Sequence, residues 1–152
     1  MKLEEAIKTS KFTNEKHKAM LNVMYTAWWL KTIVNRELKN FGLTSEQYNV
    51  LRILNGKYPE KLCVKNIACR MIERSSNVPR IIDRLEVKKL VKRSTSGIDK
   101  RETVVELTAA GINILKLATL EVDKASENNT LLSEEECRVL NNLLDKMKIG
   151  TS

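Results

Sequence analysis

Apolar positions recur along this chain mostly at helical spacing. From about Glu15 to Phe41, the residues Met20, Val23, Ala27, Leu30, Val34, Leu38 and Phe41 fall three or four apart. The spacing predicts one long helix with an apolar stripe, and Gly42 predicts its end. Leu21, Tyr25, Trp28 and Trp29 project from the other side at roughly 100° per residue, so this helix is covered on two sides. Two arrangements satisfy that: a helix held between its own domain and a partner subunit, or a central core helix.

Thr44-Ser45-Glu46-Gln47 has the form of a capping box, and Tyr48, Leu51, Ile53 and Leu54 give the following helix a buried side. Gly56 and Pro59 end it. Leu62-Cys63 is a short extended piece, and Val64 to Met71 reads as a brief helix with Ile67, Ala68 and Met71 inward. A further helix is predicted to start near Ser75 or Ser76. It buries Val78, Ile81, Ile82 and Leu85 and leaves Arg80, Asp83, Arg84, Lys88 and Lys89 mainly outside the stripe. Beyond Leu90 the turn-rich Ser94-Thr95-Ser96-Gly97 precedes Thr103-Val104-Val105-Glu106-Leu107, a β-hairpin signal with a long loop. Thr108 caps a helix through Ile112, Leu115, Thr119 and Val122. A second capping box, Ser133-Glu134-Glu135-Glu136, opens a last helix with Cys137, Leu140, Leu144 and Met147 on one side.

The expected fold is therefore mainly α with a small β-hairpin: a winged helix-turn-helix flanked by long terminal helices. Residues 43–108 form the winged region, and 1–42 with 109–152 form a helical dimerisation region.

Charge sharpens this picture. The formal net charge is +8 over 152 residues. Residues 57–103 hold thirteen basic and six acidic residues, a net +7, whereas 104–152 hold five and eight, a net −3. A basic excess concentrated in the middle of the chain fits an anionic partner, double-stranded DNA above all; a solvated basic face is the plainer alternative. Met1 to Lys11 lacks the long uncharged apolar run of a signal peptide or membrane span, which points to a cytoplasmic protein with no membrane partner.

Ser75-Ser76-Asn77-Val78-Pro79-Arg80-Ile81-Ile82-Asp83-Arg84-Leu85-Glu86, then Leu90-Val91-Lys92-Arg93, Ile98-Asp99-Lys100-Arg101 and Val105-Glu106-Leu107-Thr108-Ala109-Ala110-Gly111, together resemble the pattern of the MarR family. The resemblance covers nearly the whole chain. It implies a homodimeric transcriptional repressor or activator whose terminal helices interlock, whose two winged domains grip a pseudo-palindromic operator, and which is tuned by a small ligand or by oxidation.

On that reading Ser75, Ser76, Asn77, Arg80 and Arg84 lie at the recognition helix, whose amino-terminal residues meet base edges or phosphates. Arg93, Lys100 and Arg101 belong to the wing, which reaches the neighbouring minor groove or backbone. Asp99 stabilises the wing, either by pairing with Arg84 or Arg101 or simply as a turn former. Pro79 departs from the family pattern, and its place at the third or fourth helical position forfeits at most one bond. Lys89 stands where the family often has glycine, which implies that the helix ends in another geometry.

Tyr25, Trp28, Trp29 and Tyr48 form the candidate lining of an effector pocket for a small aromatic ligand, with plain core packing as the alternative. Catalysis is disfavoured because His17 is the sole histidine and sits near a helix start. Cys63, Cys69 and Cys137 lack zinc-site spacing, so neither a metal nor a cofactor is expected. A cysteine-based redox sensor and a protein-interaction module that has lost DNA binding are the competing functions.

Overall fold

A computed structural model describes residues 1–74 and 77–148. In chain order the elements are α1 (Leu3–Ile7), α2 (Glu15–Lys39), α3 (Ser45–Asn55), β1 (Leu62–Cys63), α4 (Val64–Ala68), α5 (Val78–Val87), β2 (Val91–Thr95), β3 (Thr103–Leu107), α6 (Ala109–Asn128) and α7 (Glu134–Met147). The architecture is the expected winged helix-turn-helix between terminal helices. The short α1 was not legible in the sequence, and α4 ends three residues earlier than its apolar pattern suggests.

Both capping boxes form. Thr44 accepts from the Gln47 N–H at 3.1 Å while Gln47 reaches back to the Thr44 N–H, and Ser133 and Glu136 repeat the arrangement. These bonds satisfy amide donors that a helix start otherwise leaves unpaired. β1, β3 and β2 form an antiparallel sheet in that order, with Leu62 opposite Val105 on one side and Arg93 opposite Val105 on the other. The two-residue β1 thus closes the sheet that β2 and β3 begin.

The core runs beneath α3, α5 and the sheet, with Val50, Leu51, Ile67, Ile82, Leu85 and Val105 fully enclosed. It extends under α6 through Leu115, Ala118 and Val122.

The apolar stripe expected on α2 is only partly turned inward. α2 buries Ile33 and Leu38, whereas Met20, Val23, Ala27 and Leu30 from the expected stripe are exposed. The reason is length: twenty-five residues span about 37 Å, more than the winged region beside them can cover. On the other side Tyr25 and Trp29 are half-buried, and Trp28 is 60% exposed. Leu117 and Leu120 of α6 and Val139, Leu140, Leu143 and Met147 of α7 are exposed too, and α7 buries no residue at all. No helix among the described residues is long and apolar enough to cross a membrane.

Candidate nucleic-acid interface

α5 turns Val78, Ile81, Ile82 and Leu85 into the core and presents Arg80, Asp83 and Arg84 outward. Its start corrects the sequence reading. The cap is Asn77, whose carbonyl accepts from the Ile81 N–H at 3.1 Å, so Pro79 is the second helical residue. An amide there has no intrahelical acceptor, and the proline forfeits nothing. Ser75 and Ser76, both candidate base readers, lie outside the described residues.

The end of α5 corrects it again. Lys89 adopts the left-handed conformation itself, at φ 59°, in the place a glycine would take. The Lys89 N–H donates to the Glu86 carbonyl at 2.8 Å and the Leu90 N–H to the Leu85 carbonyl at 3.0 Å. This pair of bonds is the Schellman motif, with Leu85 and Leu90 both buried beside it. The helix therefore leaves by the glycine-type geometry, with lysine bearing the strain.

Arg80 and Arg84, four residues apart, share a cleft of about 150 Å³ with Thr44, Glu46, Gln47, Asn77 and Ile81. Neither arginine has a side-chain partner among the described residues, and the same holds for Lys100 and Arg101 in the wing. Four cations on the α5 and wing side of the molecule are thus left to solvent. Arg93 differs from them: its guanidinium lies 2.5 Å from Asp83 and 3.9 Å from Glu86 and donates to the Pro79 carbonyl at 3.2 Å. It ties β2 to successive turns of α5. Asp83 and Glu86 went unrecognised in the sequence because their partner lies in another element.

Asp99 makes neither of the expected ion pairs. Its carboxylate accepts the backbone N–H of Arg101 at 2.9 Å and its carbonyl accepts from Glu102 at 3.0 Å, so it shapes the turn that carries Lys100 and Arg101. Ser96 accepts from the Ile98 and Asp99 amides and pins the other arm of the loop. At the wing's base Glu106 of β3 meets Lys92 at 3.2 Å and Lys61 at 3.3 Å. Partial burial pushes the Glu106 carboxyl up, and the two lysines outweigh it, holding the group below its ordinary range.

The motif after the wing is explained by packing. Thr108 accepts from the Gly111 N–H at 3.0 Å as the cap of α6 and donates to the Lys89 carbonyl at 2.7 Å. One hydroxyl thereby joins the end of α5 to the start of α6.

Of the four aromatic residues, Tyr25 and Trp28 are the pair in ring contact among the described residues. Tyr25 and Trp28 rings stack obliquely at 5.5 Å, whereas the Tyr48 hydroxyl lies 3.0 Å from Thr119 of α6. A separate groove of about 400 Å³ opens between α2 and the winged region, lined by Ala27, Leu30, Val34, Met71 and Ile72, by Ser45, Glu46 and Asn49, and by the Lys31–Glu73 ion pair. Cys63 is buried, Cys69 exposed and Cys137 half-buried; none is in a disulfide.

Residues 43–103 match the model of the MarR family. The HTH-type transcriptional regulator MgrA of Staphylococcus aureus is 31% identical over 113 residues, 74% of this chain and 75% of that protein. The chain belongs to the MarR family. A second MarR-type relative, the HTH-type transcriptional regulator MhqR of Bacillus subtilis (strain 168), is 28% identical over 120 residues, 77% of this chain and 80% of that protein. In three dimensions the S. aureus MepR–DNA complex superposes with a TM-score of 0.74 at 27% identity, covering 90% of this chain and 97% of MepR. These MarR-family relatives are transcriptional regulators rather than enzymes.

Proposed function

We propose that this MarR-family chain acts as a homodimer that binds a pseudo-palindromic DNA operator in a sequence-specific manner. The observation that carries the reading is the set of unpartnered cations, Arg80 and Arg84 on the outer side of α5 and Lys100 and Arg101 at the wing, in a chain similar to a protein solved on DNA. α5 enters the major groove with Arg80 and Asn77 toward base edges, and the wing lies along the adjacent minor groove or backbone. Arg93, already engaged by Asp83, positions the wing rather than contacting the duplex directly. Residues 43–108 are the DNA-binding region, and the apolar residues left open on α2, α6 and α7 are where the second subunit packs, making 1–42 and 109–152 the dimerisation region.

The test is selection of duplexes from a randomised pool, followed by binding titrations. Affinity falls with salt at a log–log slope of roughly −0.9 per neutralised phosphate, and half-sites lie about 10 base pairs apart. Arg101→Ala weakens binding to most sequences. Arg80→Ala also relaxes base preference, by about 1–3 kcal/mol at the affected step. Two variants that bind like the parent, or a monomer in sedimentation at micromolar concentration, overturn the reading.

Regulation by a small, largely apolar ligand fits the groove between α2 and the winged region better than the aromatic cluster. Trp28 is open to solvent and Tyr48 is engaged with Thr119, whereas apolar surface dominates the groove and the Lys31–Glu73 pair, Ser45, Glu46 and Asn49 supply its polar groups. A planar aromatic acid that quenches tryptophan fluorescence and shifts DNA affinity tests it, with Leu30→Gln and Trp28→Leu separating the two locations.

A further inference from the structure

The ammonium of Lys88 sits where three helices meet. Lys88 is the C-cap of α5, and its side chain reaches back to the chain between α2 and α3. There it donates to the Gly42 carbonyl in a very short contact and to the Gln47 side-chain oxygen at 2.9 Å. Gln47 is 3% exposed, and the same oxygen accepts the Thr44 N–H at 3.3 Å. An amide oxygen has two acceptor lone pairs, and both are thereby used. A single cation joins the turn that ends α2, the capping box that starts α3, and the last turn of α5.

No carboxylate among the described residues takes part. Lys88 itself is exposed, and bonds from an exposed ammonium to neutral oxygens return little net stability, because they replace bonds to water. What the arrangement supplies is geometry. The bond to Gly42 must break before the winged region can turn about residues 40–44 relative to α2, and the bond to Gln47 holds the ammonium in place to make it.

We propose that Lys88 is a positioning residue that sets the angle between the recognition helix and the dimerisation helix, and thereby the half-site spacing the dimer accepts. The inference rests on the reading of a homodimer on a two-fold operator. In such a dimer the α2 helices belong to the rigid centre, so a rotation of each winged region changes the separation of the two α5 helices. A spacing change of one base pair shifts the second half-site by about 3.4 Å and about 35°. A pinned pair of recognition helices cannot follow that shift, and a hinged pair can.

The experiment takes the best duplex selected from a randomised pool and a copy with one base pair inserted between the half-sites, and measures both affinities for the parent, Lys88→Met and Lys88→Arg. Melting curves accompany each protein. The parent is expected to lose about tenfold or more on the longer duplex. Lys88→Met keeps the apolar stem without the donors, and its loss shrinks to about threefold or less. Lys88→Arg retains a cationic donor and keeps most of the discrimination. Because each ratio compares two duplexes on one protein, the missing positive charge cancels. If Lys88→Met is unfolded at the assay temperature, Lys88→Gln, whose stem is too short for Gly42, takes its place with the same expected ratio. A Lys88 variant that discriminates as sharply as the parent overturns this proposal alone. A parent that binds no duplex, or is indifferent to spacing, overturns the operator reading and this inference with it.

Discussion

The Leu90 carbonyl oxygen fills the space a side chain on Gly111 would need: a Cβ there would lie 2.0 Å from that oxygen and 3.0 Å from its carbon. The obstacle is backbone, not the flexible end of a side chain, so it cannot step aside. Gly111→Ala must push the first turn of α6 off the end of α5 and disrupt the Thr108 bonds to both. We expect a loss of about 3 kcal/mol or more, a fall in Tm of roughly 10 °C, read by thermal melting.

Lys89 gives the opposite sign. A lysine in left-handed backbone is strained, and glycine there relieves the strain at some cost in unfolded-state entropy. Lys89→Gly is expected to raise stability by about 0.5–1 kcal/mol in denaturant titrations. A decrease would mean that the lysine side chain contributes contacts of its own.

Arg93→Ala releases the wing from Asp83 and Glu86 without removing one of the free cations. Amide hydrogen exchange in β2 and the wing loop should speed up, and DNA affinity should fall with little change in base preference at the recognition-helix positions. Altered base preference instead would make Arg93 a direct reader of the duplex.

Glu106 sets an acid limit on the sheet. Its folded carboxyl titrates below the ordinary value of 4.5, so the stabilisation is present above that value and is lost as pH falls through the lower, folded one. Glu106→Gln should melt earlier than the parent at neutral pH, and the gap should close as the buffer is taken down toward about pH 3. A gap that stays constant with pH would assign the effect to packing.

The parts of this fold that could be read in advance are those fixed by neighbouring residues. Thr44 with Gln47 and Ser133 with Glu136 are three apart, and the β-branched run at Thr103–Val105 lies in one strand. The sequence points to a start of α5 at Ser75 or Ser76, ahead of the Asn77 cap, because all three are competent caps and local chemistry does not rank them. At Lys89 the propensity against left-handed lysine was overridden by the Schellman bonds and by buried Leu85 and Leu90. Arg93 was recognised as a cation of the wing, but its engagement by Asp83 is tertiary and left no mark in spacing. The exposed half of α2 follows from its length relative to the winged region, a quantity that periodicity does not contain.

α7 has a consequence for how much of this protein a cell can keep. A fourteen-residue helix with no buried residue has little to hold it in a lone chain, since isolated helices of that length are marginal in water. If a second subunit supplies its cover, folding and association become one mass-action process, and Tm rises with protein concentration. Newly made chains at low copy number would then be open to proteolysis along α7, while chains above the dimerisation threshold are protected. Abundance would then respond to synthesis rate more steeply than in proportion.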